Sequence, residues 1–136
     1  MKLKTRFSFD SAHRLVDYIG PCSNLHGHRW EVDVDVIGEG LDKAGMLWDF
    51  TNVRTLKQKY DHKTLLKRCE KNRELGECLE RLCGGDSVLW LDDNPTAECL
   101  GKTILKDLLE KSPDYKFKIK VYESPTSYAE VHNESQ

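Results

Sequence analysis

The chain has 136 residues, with Lys+Arg 21 against Asp+Glu 23 and a formal net charge of −2. That balance excludes a broad nucleic-acid-binding surface, because no excess positive field exists to draw a polyanion. No apolar run approaches the roughly 18–20 residues needed to cross a bilayer.

The length fits one domain, 1–136. Apolar residues at 38% and charged residues at 32% describe a folded chain on the polar side, not a disordered one. Met1 to Arg6 alternates charged and uncharged residues with no apolar segment behind it, so no secretory leader is expected. The cysteines Cys22, Cys69, Cys78, Cys83 and Cys99 are odd in number and contain no CxxC pair. A disulfide framework is not expected, and a cytoplasmic location is.

Residues 2–13 alternate as a strand, with Leu3, Thr5, Phe7, Phe9, Ser11 and His13 on one parity. Residues 14–25 hold Gly20-Pro21 and read as a loop. Residues 26–37 form a second strand: His26, His28, Trp30, Val32, Val34 and Val36 share one face, while Glu31, Asp33 and Asp35 face water or a polar partner. Phe50, Val53, Leu56 and Tyr60 recur at helical spacing, with Asp49 or Thr51 as N-cap and Asp61-His62 at the end.

The stretch 63–93 is charged, and Leu75, Leu79 and Leu82 predict a short amphipathic helix within an insertion. Val88-Leu89-Trp90-Leu91 is a brief apolar run. Asn94-Pro95 then opens a helix, Asn as N-cap and Pro at the first helical position, with Ala97, Leu100, Ile104 and Leu108 as its buried stripe. Phe117, Ile119, Val121 and Glu123 alternate as a third strand, and 127–131 supplies a fourth. The order is β-β-α-(insert)-α-β-β, an α+β arrangement with helices segregated from an antiparallel sheet.

The chemistry concentrates in Cys22-Ser23-Asn24-Leu25-His26-Gly27-His28. Strand alternation projects His26 and His28 from one face, and both imidazoles can reach one ion at about 2.0–2.1 Å. Gly27 between them allows close backbone approach. If the first two strands form a hairpin, His13 joins the pair. Three His ligands with a free fourth position describe a catalytic zinc site. Cys22, four residues ahead, is a fourth ligand, a nucleophile or a general base; the other four cysteines read as buried and inert. Asp61-His62 is either an oriented acid–base pair or polar punctuation at a helix end. Glu123, inward on its strand, needs a partner: a Lys or amide, or a ligand edge with paired N–H donors such as a pterin or guanine. Arg14, Arg29 and Lys63 are the nearby cations for a phosphate.

Together these residues resemble the 6-pyruvoyl-tetrahydropterin synthase / 6-carboxytetrahydropterin synthase family. Phe9-Asp10-Ser11-Ala12-His13-Arg14-Leu15 is similar to its first zinc-ligand segment, and Cys22 to His28 to its C-x-x-x-H-G-H motif. Gly45-Met46-Leu47-Trp48-Asp49-Phe50, Tyr60-Asp61-His62, Asn94-Pro95-Thr96-Ala97-Glu98 and Tyr122-Glu123-Ser124 resemble later family segments. Tyr60 and Ser124 replace the usual Leu and Thr.

The resemblance implies the tunnelling fold, a ββααββ unit with helices on one face that closes a barrel by oligomerisation. It implies a homohexamer, a dimer of trimers, with sites at subunit interfaces. His13, His26 and His28 would hold Zn2+; Cys22, Asp61 and His62 would be catalytic; Glu123 and Thr96 would bind the pterin. The implied reaction converts 7,8-dihydroneopterin triphosphate to 6-carboxytetrahydropterin, acetaldehyde and triphosphate, on the route to 7-deazaguanines such as queuosine. The 6-pyruvoyl branch of biopterin synthesis is the alternative. A non-catalytic zinc- or pterin-binding module, with Cys22 closing the metal site, is a further one. A metal-free cysteine hydrolase would leave the three histidines unexplained.

Overall fold

The computed structural model describes residues 1–133. Two long strands, β1 (Lys2–His13) and β2 (His26–Ile37), form an antiparallel hairpin in register from Lys2↔Ile37 to His13↔His26. Strands β3 (Thr64–Lys67) and β4 (Val88–Leu91) lie beyond β1. Strands β5 (Lys116–Ser124) and β6 (Ser127–His132) lie beyond β2, so the sheet order is β4-β3-β1-β2-β5-β6. The inward parities of β1, β2 and β5 are buried as expected: Phe7, Phe9, Trp30, Val32, Val34, Val36, Phe117, Ile119 and Val121 form the core.

Helices α1 (Asn52–Tyr60) and α3 (Ala97–Lys111) cover this face through Leu56, Tyr60, Leu100, Ile104 and Leu108. Thr51 sits at the N-cap of α1 without a side-chain bond, while the Asp49 carboxylate accepts from the Thr51 N–H; Phe50 is exposed rather than buried. The cap of α3 differs from the expectation. Thr96, not Asn94, caps the helix, its hydroxyl accepting from the Cys99 N–H at 3.2 Å.

The stretch 63–93 is more than a helix. Helix α2 (Glu70–Cys83) connects β3 to β4, and both strands pair in parallel with the sheet at the end of β1. This is a β-α-β unit, the connection that parallel neighbours require. Leu65 and Leu91 face the main core. Leu66 and Trp90 point the other way, where α2 packs Gly76 onto the Trp90 ring. Leu82 is exposed instead of belonging to a buried stripe.

On the face away from α1 and α3, Asp33 and Asp35 are buried and meet polar partners, the second of the two expected surroundings. Arg6 holds Asp33 through Nε at 2.5 Å and Nη2 at 3.1 Å, and Lys2 holds Asp35 at 2.8 Å. The stems of these long cations cover the carboxylates while the charged heads stay wet. Among the cysteines expected to be buried, Cys83 is exposed and Cys69, Cys78 and Cys99 are half-buried; all five thiols are free. No helix among the described residues is long and apolar enough to cross a membrane.

Candidate active site

The hairpin register decides the first part of the site. His13 stands opposite His26, and His28 stands opposite Ser11 one step along the same face. A ligating atom from each of the three rings lies within 4.8 Å of the other two. Trp30 forms the floor, meeting His13 edge-on at 5.1 Å and His28 at 5.4 Å between ring centroids. A Cβ on Gly27 would meet nothing nearer than the Ser11 carbonyl at 3.5 Å, an ordinary contact, so close approach does not demand glycine there.

The outer nitrogens of His13 and His26 explain the orientation of those two rings. His13 Nδ1 lies 2.8 Å from the Pro95 carbonyl and His26 Nδ1 lies 2.7 Å from the Asn24 carbonyl. A carbonyl only accepts, so both Nδ1 atoms carry the proton and both Nε2 lone pairs point inward. Those Nε2 atoms are 3.0 Å apart. His28 Nε2 is buried with no hydrogen-bond partner. Two inward lone pairs and an unpartnered third ring nitrogen fit a bound cation. The donor set, three clustered imidazoles of which His13 and His26 are oriented by main-chain carbonyls, suits zinc. Burial pushes the His13 imidazole below its usual pKa, against the opposing pull of the Pro95 bond, which keeps the ring neutral as ligation requires.

Glu123 enters through a register irregularity. Tyr122 pairs with Tyr128 and Ser124 with Ser127, which leaves Glu123 as the extra residue. Bulges of this kind re-aim a side chain beside a site. Its Oε1 lies 3.4 Å from His28 Nε2 and 3.5 Å from His13 Nε2. Glu123, Cys22 and Thr96 line one cavity of about 300 Å³, together with Leu15, Tyr18, Glu98 and Tyr128. Cys22 reaches it from a short 3₁₀ turn, Pro21–Ser23, and its carbonyl accepts from the Leu15 N–H at 3.0 Å.

Asp61 and His62 form a pair elsewhere. Asp61 Oδ1 is 3.0 Å from His62 Nδ1 and also accepts from the Asp10 N–H at 2.9 Å. That backbone bond holds the Asp61 carboxyl below its ordinary pKa, so it stays ionised. His62 has φ 60°, a left-handed conformation that costs a non-glycine residue about 1–3 kcal/mol. Its side chain is 78% exposed, in a shallow hollow with Asp10, Gly27, Arg29 and Lys63. Within one chain, therefore, Cys22 and the Asp61–His62 pair line separate concavities. Two of the cations offered for phosphate are already engaged: Arg29 with Asp10 at 3.0 Å and Lys63 with the Asp86 carbonyl at 2.7 Å. Arg14 keeps a buried Nε without a partner.

Sequence reasoning missed Tyr18, Tyr128 and Glu98. No strand periodicity marks a loop or bulge residue as pocket lining; only the position of Glu98 in the helix-opening segment pointed to it.

The family model of 6-pyruvoyl tetrahydropterin synthase matches residues 2–134. The chain belongs to that family. It is 30% identical over 140 residues to the 6-carboxy-5,6,7,8-tetrahydropterin synthase of Rickettsia bellii, covering 96% of this chain and 99% of that one. It is 29% identical over 139 residues to the enzyme of the same name from Haemophilus influenzae, covering 95% and 96%. The fold matches an uncharacterized protein from Wolinella succinogenes with TM-score 0.78 at 21% identity, over 98% of each chain. It matches 6-pyruvoyl tetrahydropterin synthase from Plasmodium falciparum with TM-score 0.69 at 24% identity, over 98% and 97%. The chain thus has the fold of the pterin synthases, and its family is one of pterin lyases.

Proposed function

We propose that this family member is a zinc-dependent 6-carboxy-5,6,7,8-tetrahydropterin synthase. The observation that carries the reading is one cavity lined by Cys22, Thr96 and Glu123, with the Glu123 carboxylate against a cage of His13, His26 and His28. The names of the curated relatives support the 6-carboxy product. The substrate on this reading is 7,8-dihydroneopterin triphosphate. With one water it yields 6-carboxytetrahydropterin, acetaldehyde and triphosphate, a product suited to 7-deazaguanine and queuosine synthesis in the cytoplasm.

A bound zinc ion would supply positive charge against the side-chain oxygens of the substrate and lower their pKa. The chain's own residues do the rest. Glu123 offers two acceptor oxygens to the paired N–H donors of the pterin edge. Thr96, at the N-cap of α3, lines the same pocket. Cys22 as thiolate takes a proton from the substrate side chain. Asp61 orients His62 and keeps it able to pass protons on. Because that pair lies apart from Cys22 in one chain, a second copy supplies it, consistent with a homohexamer built as a dimer of trimers. The test is incubation of the zinc-loaded protein with dihydroneopterin triphosphate, mass analysis of the pterin and an acetaldehyde assay. Acetaldehyde in step with a carboxylated pterin supports the proposal. A pterin that keeps its three-carbon side chain assigns the 6-pyruvoyl activity instead. No turnover with zinc bound points to a binding module.

A further inference from the structure

The segment Asn94–Thr96, between β4 and α3, touches three parts of the site at once. Thr96 caps α3 and lines the pocket. The Pro95 carbonyl accepts the Nδ1 proton of His13. Asn94 leaves the helix cap free because its amide is engaged elsewhere: Nδ2 donates to the Val16 carbonyl at 2.8 Å and Oδ1 accepts from the Val16 N–H at 3.0 Å. One side chain thus acts as a peptide partner for a buried residue of the loop 14–25. Two further contacts fasten the same loop. The Leu15 N–H donates to the Cys22 carbonyl at 3.0 Å, and Asp17 pairs with Lys71 of α2. Asp17 adopts φ 58°, a conformation that needs outside support in a non-glycine residue.

We infer that Asn94 is a positioning residue that fixes the Cys22 thiol relative to the histidine cage, and that the β3–α2–β4 segment serves as the frame for it. The loop that bears Cys22 has only a three-residue 3₁₀ turn as regular structure. Its placement depends on Val16, and Val16 is held by Asn94 from one side of the frame while Asp17 is held by Lys71 from the other. The same short segment orients His13, so metal ligand and thiol share one rigid reference. Displacement of a reacting group by about 1 Å costs on the order of 100-fold in rate. The inference rests on the proposed function in taking Cys22 as the reacting thiol.

The test uses the full chain with Asn94→Ala, Asn94→Asp and Lys71→Ala. Alkylation of Cys22 by iodoacetamide is followed peptide by peptide across pH, with the exposed Cys83 as internal reference. Bound zinc and the kcat and KM for dihydroneopterin triphosphate are measured alongside. Asn94→Ala is expected to retain zinc, to lower kcat about 10- to 100-fold with KM within about 3-fold, and to speed Cys22 alkylation relative to Cys83 about 10-fold. Asn94→Asp keeps the acceptor for the Val16 N–H and falls between. Lys71→Ala, a surface pair whose loss leaves the fold standing, shifts alkylation in the same direction by less. A residue that merely stabilises the fold would leave the alkylation ratio and the kcat of folded protein unchanged; that result in Asn94→Ala overturns the inference. Should Asn94→Ala fail to fold, unchanged ratios in both other variants overturn it. If the parent shows no turnover, the proposed function fails, while the alkylation ratios still decide the clamp.

Discussion

His13 and His26 point their unprotonated Nε2 atoms at each other across 3.0 Å while donating their Nδ1 protons outward to Pro95 and Asn24. Two lone pairs at that separation repel unless a cation or proton lies between them. Zinc titrated into chelator-stripped protein should therefore raise the melting temperature, by the equivalent of about 4 kcal/mol at a thousandfold excess over Kd. His26→Ala should weaken zinc binding by more than the roughly 10–100-fold that loss of an outer hydrogen-bond partner costs. Calorimetric titration checks both, and a stripped protein that takes up no zinc would remove the metal site.

Cys22 lines the cavity but is not among the three clustered ligands. Cys22→Ala should keep its zinc and lose turnover by about 10²–10⁴-fold, the range expected for a general base. Zinc content and single-turnover kinetics decide the matter, and full activity in this variant would take the thiol out of the mechanism.

Cys22 and the Asp61–His62 pair line different concavities of one chain. If one copy completes another's site, Cys22→Ala and His62→Ala chains are each inactive, yet co-refolded mixtures recover activity, about a quarter of the sites being intact in a random assembly. Mixtures as inactive as their parents would place the whole reaction within a single copy.

A Cβ at Gly76 would fall well inside contact distance of the Trp90 ring. That ring cannot easily retreat, since its Nε1 donates to Glu80 at 2.6 Å and Arg68 lies over it at 5.5 Å. Alanine gains about 1 kcal/mol of helix propensity. Overpacking typically costs about 1–3 kcal/mol. Gly76→Ala should lose on balance, lowering the urea midpoint; a midpoint at or above the parent's would show that Trp90 moves freely.

Arg6 holds the Asp33 carboxyl well below the usual carboxylate range, the hydrogen bond outweighing the opposing effect of burial. A lowered folded-state pKa means the stability it contributes is full above the unfolded value of about 3.9 and is lost as pH falls through the folded one. Asp33→Asn should lower the urea midpoint at pH 7 and flatten its decline under acid. Parallel midpoint-versus-pH curves for parent and variant would dissociate Asp33 from acid unfolding.

The histidine cage was readable because strand alternation is strict: once His26 and His28 share a parity, a hairpin has to bring the end of β1 to them. The strands β3 and β4 were not readable. Each is four residues long, and Leu65-Leu66 are both buried, so no alternation marks them. The reading of Asp33 and Asp35 left water and a polar partner both open, because the Arg6 and Lys2 that pair with them come from a neighbouring strand. The Asn94 cap failed for a similar reason: its amide had a tertiary partner, Val16, that no local pattern reveals. Bringing Cys22 into the pocket with Glu123 needed both the loop's anchors and a bulge, and neither has a periodic signature.

The acceptor behind His13 is a peptide oxygen, and it comes from a proline. No codon change can delete it, and it brings no formal charge that would neutralise the ion or respond to acidity. Drift in the surrounding sequence can therefore alter the pocket's shape and the burial of this ring while the acceptor that fixes its tautomer stays in place. Removing that acceptor requires moving the main chain itself.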